Sequence, residues 1–200
     1  MKFIRAYHIQ KNNESVVVTD CGEFPIWVKD FEKYFSSLCA GDEIAEEETL
    51  VTLAVRRDVK KTAIRRLAAG DVTKKALSKK LMSKKVFGRY PEKEFVDSLL
   101  DKLEKAGYID DVSFAKRTVN KCAEKNWGEM KIRAYMQEKG FLTEHINLAL
   151  EEENPDFVGI AETLIKRDFL SCDKDTVYRR LYTRGFKGDE IAEALGRIEK

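Results

Sequence analysis

Two hundred residues, 36% of them charged and only three of them proline, leave little room for a long disordered linker and favour slender helical elements with much surface. The net charge is only +2, but Arg56 to Lys93 hold 14 Lys and Arg against three acids, Asp58, Asp71 and Glu92, so a strongly basic segment sits in an otherwise net acidic chain. No window approaches 18 apolar residues, which argues against a membrane-spanning helix, and the apolar run in "MKFIRAYHIQ" is too short for a secretory signal.

The first 28 residues read as a small antiparallel sheet. "FIRAYHI" is built of β-formers. "SVVVTD" runs into Asp20-Cys21-Gly22, a hairpin turn in which glycine supplies positive φ. Pro25 in "FPIWV" confines the third strand to an edge. From Asp30 the period becomes helical, with Phe31, Tyr34, Phe35 and Leu38 on one stripe that Gly41 ends. Residues 1–45 thus form a β-rich region with a short helix. A long helix is expected from Glu43 to Ala69, acids first and bases last, in the order the helix dipole favours. Gly70 stops it, Asp71 and Thr73 are cap candidates, and "KKALSKKLMSKK" starts the next helix.

The remainder repeats. "KIRAYMQEKGFLTEHINLAL" from Lys131 and "TVYRRLYTRGFKGDEIAEAL" from Thr176 superimpose at an offset of 45. Ile132 falls on Val177, Met136 on Leu181, Gly140-Phe141 on Gly185-Phe186, Ile146 on Ile191 and Ala149 on Ala194. Lys74 to Val86 joins at an offset of 55, with Leu77 on Ile132 and Leu81 on Met136. After an insertion around "FGRYPEKE", Val96, Leu99 and Leu100 fall on Ile146, Ala149 and Leu150. The expected fold is mainly α: three tandem three-helix repeats (46–109, basic; 110–154; 155–200) in an elongated curved array after the small β region.

Chemistry is hard to find. Cys21, Cys39, Cys122 and Cys172 show no CxxC pair and read as reduced thiols of a cytoplasmic protein. His8 and His145 are far apart, and GxxxxGK[ST], GxSxG and HExxH are missing. No catalytic, metal or cofactor site is expected. The one adjacent carboxylate pair, Asp110-Asp111, reads as helix punctuation. Gly107 closes one helix in the left-handed region, Tyr108 and Ile109 pack back, and Asp110 or Asp111 caps the next helix. Two carboxylates side by side at a helix start point in different directions, unlike a pair facing across a substrate.

"AGYIDDVSFAKRTV" resembles the G-Y-(L/I)-(N/D)-D-x-x-(F/Y)-A signature of the RecX family, bacterial regulators of the RecA recombinase; here Gly107, Tyr108, Asp110, Asp111, Phe114 and Ala115 carry it. "DVTKKALSKKL" is similar to the start of that family's second helix. "NWGEMKIRAYMQEKGF" resembles its G-x-x-x-I-x-x-x-L-x-x-K-G run, carried by Gly128, Ile132, Met136, Lys139 and Gly140. The chain departs from the pattern in Asp110, where asparagine is common, in Lys121 and Lys125, in the "FGRYPEKE" insertion, and in Lys85, where a turn glycine is usual.

The resemblance implies a non-enzymatic protein, and the chain is expected to be a cytoplasmic monomer. Its partners would be the RecA filament and single-stranded DNA, touched directly or through the filament, with filament assembly, ATP hydrolysis and strand exchange dampened. Residue chemistry adds candidates for docking: Arg56, Arg57, Lys60, Arg65, Arg66, Lys74, Lys75, Lys79, Lys80, Lys131, Arg133, Lys139, Arg179, Arg180 and Arg184. Among aromatics that could stack on bases, Tyr135 and Tyr178 lie off the apolar stripes, whereas Phe141 and Phe186 read as core. Two other readings fit the composition: a general nucleic-acid-binding helical protein, and a scaffold for another protein.

Overall fold

The computed structural model describes residues 1–198. It is mainly helical with a three-stranded antiparallel sheet at its start. The chain divides into two compact units. One is Met1–Gly70 with Leu77–Tyr108; the other is Asp71–Ala76 with the chain from Ile109 on.

In the first unit β1 (Phe3–Ile9), β2 (Glu14–Thr19) and β3 (Gly22–Trp27) pair in that order. The β-branched run of β2 takes the centre, and Pro25 lies on the edge strand β3, where its missing N–H costs no ladder bond. Thr19 stands opposite Gly22 across a two-residue turn. The Thr19 hydroxyl donates to the Gly22 carbonyl (3.0 Å) and accepts from the Cys21 N–H (3.1 Å). α1 (Val28–Tyr34) ends before Gly41, because Phe35 leaves the helix to bury its ring.

The long helix α2 (Glu47–Ala68) packs on β3. It starts later than the sequence predicts: Glu43 bridges to Lys2, and the Ile44 N–H bonds to the Met1 carbonyl, so sheet-like pairing claims these residues. Glu14, almost fully buried, accepts a hydrogen bond from Arg57 and forms an ion pair with Lys61 (2.8 Å). Burial raises the Glu14 pKa, but the two cations outweigh it and hold the carboxyl below its usual range. α3 (Lys74–Met82) and α4 (Lys93–Lys105) follow. The insertion lies on the sheet: Phe87 meets Phe24 at 4.8 Å between ring centres.

The second unit holds α5 (Asp111–Glu124), α6 (Glu129–Glu138) and α7 (Thr143–Glu153). Next come α8 (Phe157–Leu164), a π turn (Ile165–Phe169), α9 (Lys174–Thr183) and α10 (Gly188–Ile198). Its two cores repeat each other. Ile132, Met136, Phe141, Ile146 and Ala149 are buried with Ala115, Val119 and Cys122. Forty-five residues on, Val177, Leu181, Phe186, Ile191 and Ala194 are buried with Ala161, Leu164, Ile165 and Phe169. The starts of α6 and α9 differ by the same 45 residues.

Candidate partner and nucleic-acid interface

The glycine of each KGF/RGF turn receives the start of an earlier helix. At α9's end, Gly185 has φ +90°, and a Cβ on it would stand 2.4 Å from the Lys131 nitrogen. Gly128 presses on the same turn, where a Cβ would reach 2.2 Å from the Gly185 carbonyl carbon. The Gly128 and Met130 N–H groups donate to the Arg184 and Gly185 carbonyls, both at 2.9 Å. Amides left over at the start of α6 thus satisfy carbonyls left over at the end of α9. Beside them Glu129 accepts from Arg133 (2.6 Å) and Lys187. Burial pushes this carboxyl up, but the two cations outweigh it and its pKa lies below the usual range.

A like joint forms at the other glycine turn. Gly140 (φ +89°) lies against Thr73, whose hydroxyl donates to the Lys139 carbonyl (3.0 Å) and accepts from the Ala76 N–H (3.1 Å). Thr73 occupies the position of Gly128, and Gly140 that of Gly185.

Asp110 and Asp111 are separated in role. Asp110 caps α5, accepting from the Ser113 N–H at 2.9 Å, and hydrogen bonding to Ser113 lowers its pKa. Asp111 instead accepts from the Lys74 N–H at the start of α3, at 3.0 and 3.1 Å. Asp156 caps α8 in the same manner as Asp110, through Gly159 (2.9 Å). Phe114 packs on Phe141, and Ala115 is fully buried. Ile109 is buried as the sequence predicts, but Tyr108 is 70% exposed and does not pack back. Gly107, at φ +76° with open space around it, lets the chain turn so that Ile109 takes the buried place.

The basic candidates scatter. Arg57 is turned inward onto Glu14, so it contributes to packing rather than to a surface. Arg56 pairs with Glu92 and lies over the Phe95 ring, which Lys60 also covers. Arg65, Arg66, Lys75, Lys79 and Lys80 are exposed, and Lys74 is half-buried. Lys131 lies over Trp127 and Lys139 over Tyr135, at 4.5 and 5.2 Å from the ring centres. Arg133 is held between Glu129 and Asn147. Trp127 and Tyr135 meet edge to face and are half-buried against the repeat core.

Three candidates come together at α9 and the turn that ends it. Arg179, Arg180 and Arg184 line one open depression with Phe169, Thr176 and Thr183. Arg180 lies 5.2 Å from the Phe169 ring centre. Along the same helix Tyr178 and Tyr182 are exposed and near parallel, 6.2 Å apart with 10° between the rings. Phe169 was not a candidate from sequence. The signal was a change of register: Ala115 corresponds to Ala161 at 46 residues and Cys122 to Phe169 at 47. The π turn absorbs the extra residue.

Among the described residues, no group of three His, Cys, Asp or Glu side chains could hold a metal ion, and no helix is long and apolar enough to cross a membrane. What the geometry defines is a protein of small helical bundles whose distinctive surfaces are cationic and aromatic. No family model matches the chain. Curated relatives do: a regulatory protein RecX of Stenotrophomonas maltophilia (strain R551-3) is 30% identical over 157 residues, spanning 76% of this chain and 96% of its own. Another, of Chromohalobacter salexigens, is 32% identical over 66% of this chain and 88% of its own. In fold, the chain matches a crystal structure of regulatory protein RecX with a TM-score of 0.63 at 20% identity, over 94% of this chain and 96% of that one. RecX from Lactobacillus salivarius gives 0.64 at 20% identity, over 72% and 97%. The chain belongs to the RecX family of regulatory proteins.

Proposed function

We propose that this protein regulates the RecA recombinase by binding its filament on single-stranded DNA and dampening filament assembly, ATP hydrolysis and strand exchange. The observation that carries the reading is the likeness to RecX proteins along nearly their whole length, 96% for the Stenotrophomonas relative. The protein acts as a monomer in the cytoplasm and without catalysis, by mass action: binding one filament state shifts the assembly equilibrium toward it.

Within that reading α9 is the surface offered to DNA. Arg179, Arg180 and Arg184 supply cations for phosphates, and Tyr178 and Tyr182 supply flat faces for bases. The same cluster supports a second reading, a general single-strand binder that competes with recombinase for DNA.

Titration into filaments preformed on single-stranded DNA, following ATP hydrolysis, separates the two when paired with binding to bare DNA at two salt concentrations. The regulator reading expects hydrolysis to fall while bare DNA is still mostly unbound. A fall that appears only as bare DNA saturates, with a steep salt dependence, replaces it with competition for DNA.

A further inference from the structure

The α2–α4 cleft of the first unit is apolar where its counterpart in the next repeat is polar and closed. Ala63 and Ala115, both fully buried, are equivalent points on the first helices, and Leu100 and Leu150 on the third. On that alignment Lys116 and Asn120 of α5 reach Glu152 and Glu153 of α7, through an ion pair and a 2.6 Å hydrogen bond. The corresponding residues in the first repeat are Ile64 and Ala68 on α2, and Lys102 and Leu103 on α4. Three of these four are apolar, and Lys102, the fourth, faces Ile64 where Glu152 faces Lys116, so the ties across the cleft are lost and the cleft is open.

Its volume is about 470 Å3, lined by Ile64, Leu67, Ala68, Leu103 and Tyr108. Ile64 is 60% exposed and Tyr108 70%. α4 buries Val96 and Leu100 in the core, which leaves Phe95, Leu99 and Leu103 as a second, half-buried stripe at i, i+4 and i+8. Leu99 belongs to this stripe although its counterpart Ala149 is buried. From Lys60 to Ala68 the trough runs about 12 Å, a little over two helical turns.

The charge around it is cationic. Arg56 and Lys60 stand over Phe95 at one end. Lys60 is lowered in pKa first by burial and then by its neighbours Lys29, Lys102 and Arg56, with Asp30 opposing. Arg56 has a partner in Glu92, and Asp101 and Glu104 of α4 are engaged in interactions of their own. An apolar trough with lysines on its rim, Lys60 at one end and Lys102 on α4, fits a ligand that brings both apolar side chains and carboxylates.

We infer that this cleft docks an acidic amphipathic helix of a protein partner. Apolar side chains spaced i, i+3/i+4 and i+7 seat among Ile64, Leu67, Leu99, Leu103 and Tyr108, and carboxylates on the flanks meet Lys60 and Lys102. The inference goes beyond the regulator reading, since the trough specifies the chemistry of the helix and not the protein that carries it.

The test is fluorescence anisotropy with the full chain and four labelled probes. Three are 16-residue peptides: a leucine–glutamate amphipathic helix, the same peptide with lysine for glutamate, and a scramble of the first. The fourth is a single-stranded oligonucleotide. The acidic helix is expected to bind, and the lysine and scrambled peptides to bind at least about tenfold more weakly. Ile64→Glu and Tyr108→Ser, both at exposed positions, should each weaken the acidic peptide about tenfold while leaving Tm unchanged. Lys102→Glu should weaken it and strengthen the lysine peptide. The inference is overturned if no acidic peptide binds, if the three peptides bind alike, or if Ile64→Glu and Tyr108→Ser leave affinity intact. It is also overturned if the oligonucleotide binds and those two substitutions weaken it while sparing the peptide, which would make the cleft a nucleic-acid groove. None of these outcomes bears on the ATP hydrolysis titration, so the two proposals can fail separately.

Discussion

The turn after α3 and the turns after α6 and α9 occupy equivalent places but are built differently. After α6 and α9 the chain turns at Gly140 and Gly185, with φ near +90°, and an earlier helix start lies directly on the glycine. After α3 the equivalent residue is Lys85, and positive φ is displaced to Phe87 and Gly88. Here Lys84 reaches back to Asp58 and to Thr62 (2.7 Å) on α2, and Phe87 lies on the sheet. The turn glycine thus encodes helix-end docking as much as chain reversal. Where an earlier helix start docks on the turn, a side chain is opposed by close contact as well as by strain; after α3, where the turn lies beside the sheet, a lysine serves.

Substitutions at the turns should separate strain from docking. Gly185→Ala combines left-handed strain with a collision against the Lys131 backbone, which cannot move aside without shifting α6. A loss of about 3 kcal/mol or more is expected, read as a lowered urea midpoint. Gly140→Ala carries the same strain, but the nearest atom is the Thr73 hydroxyl at 2.9 Å, a side chain that can yield by giving up its bonds to Lys139 and Ala76 where the Lys131 backbone cannot yield. It should cost about 1–2 kcal/mol, clearly less than Gly185→Ala. An equal cost at the two sites would show that strain alone matters and docking does not.

Helix caps sharpen the scale. Asp110→Ala removes the bond to the Ser113 N–H and should cost about 1 kcal/mol by thermal or urea unfolding. Lys85→Gly, at the turn that receives no helix, should change stability by no more than about 1 kcal/mol, the entropic cost of glycine. A loss as large as that of Gly185→Ala would contradict the division between the turns.

Acid should loosen the joint of the second unit, as it should the Glu14 pairs of the first. The Glu129 pKa is depressed in the folded protein, so its stabilisation is present above the unfolded carboxylate value near 4.5. That stabilisation is lost as pH falls through the lower folded value. Tm of Glu129→Gln should therefore lie below that of the parent at neutral pH, and the gap should close well below pH 4.5. A gap that persists at the lowest pH would remove the Lys187 and Arg133 pairs as its cause.

Much of this was legible in the residues. The offset of 45 located both cores of the second unit, because burial on one helical face imposes a period that survives substitution of Ile132 by Val177 or Met136 by Leu181. Gly140 and Gly185 were visible as turns. Their docking partners Thr73 and Gly128 were not, since a close approach between distant segments leaves no local pattern. The long helix was placed four residues early at Glu43, because pairing of Glu43 with Lys2 is a tertiary effect that helix propensity does not register. Basic residues were the least legible. Arg57 and Arg56 look alike in sequence, yet one is turned onto a buried Glu14 and the other lies over Phe95. Tyr108 follows a closing glycine, a place that in sequence reads as packing; the structure exposes it beside an apolar cleft.

The most direct test of the functional reading is co-sedimentation of this protein with RecA filaments on single-stranded DNA, beside the same DNA without recombinase. The protein is expected to pellet with the filament at concentrations where it stays in the supernatant with DNA alone, and to do so at saturable stoichiometry. Pelleting with neither, or equally with both, would contradict it.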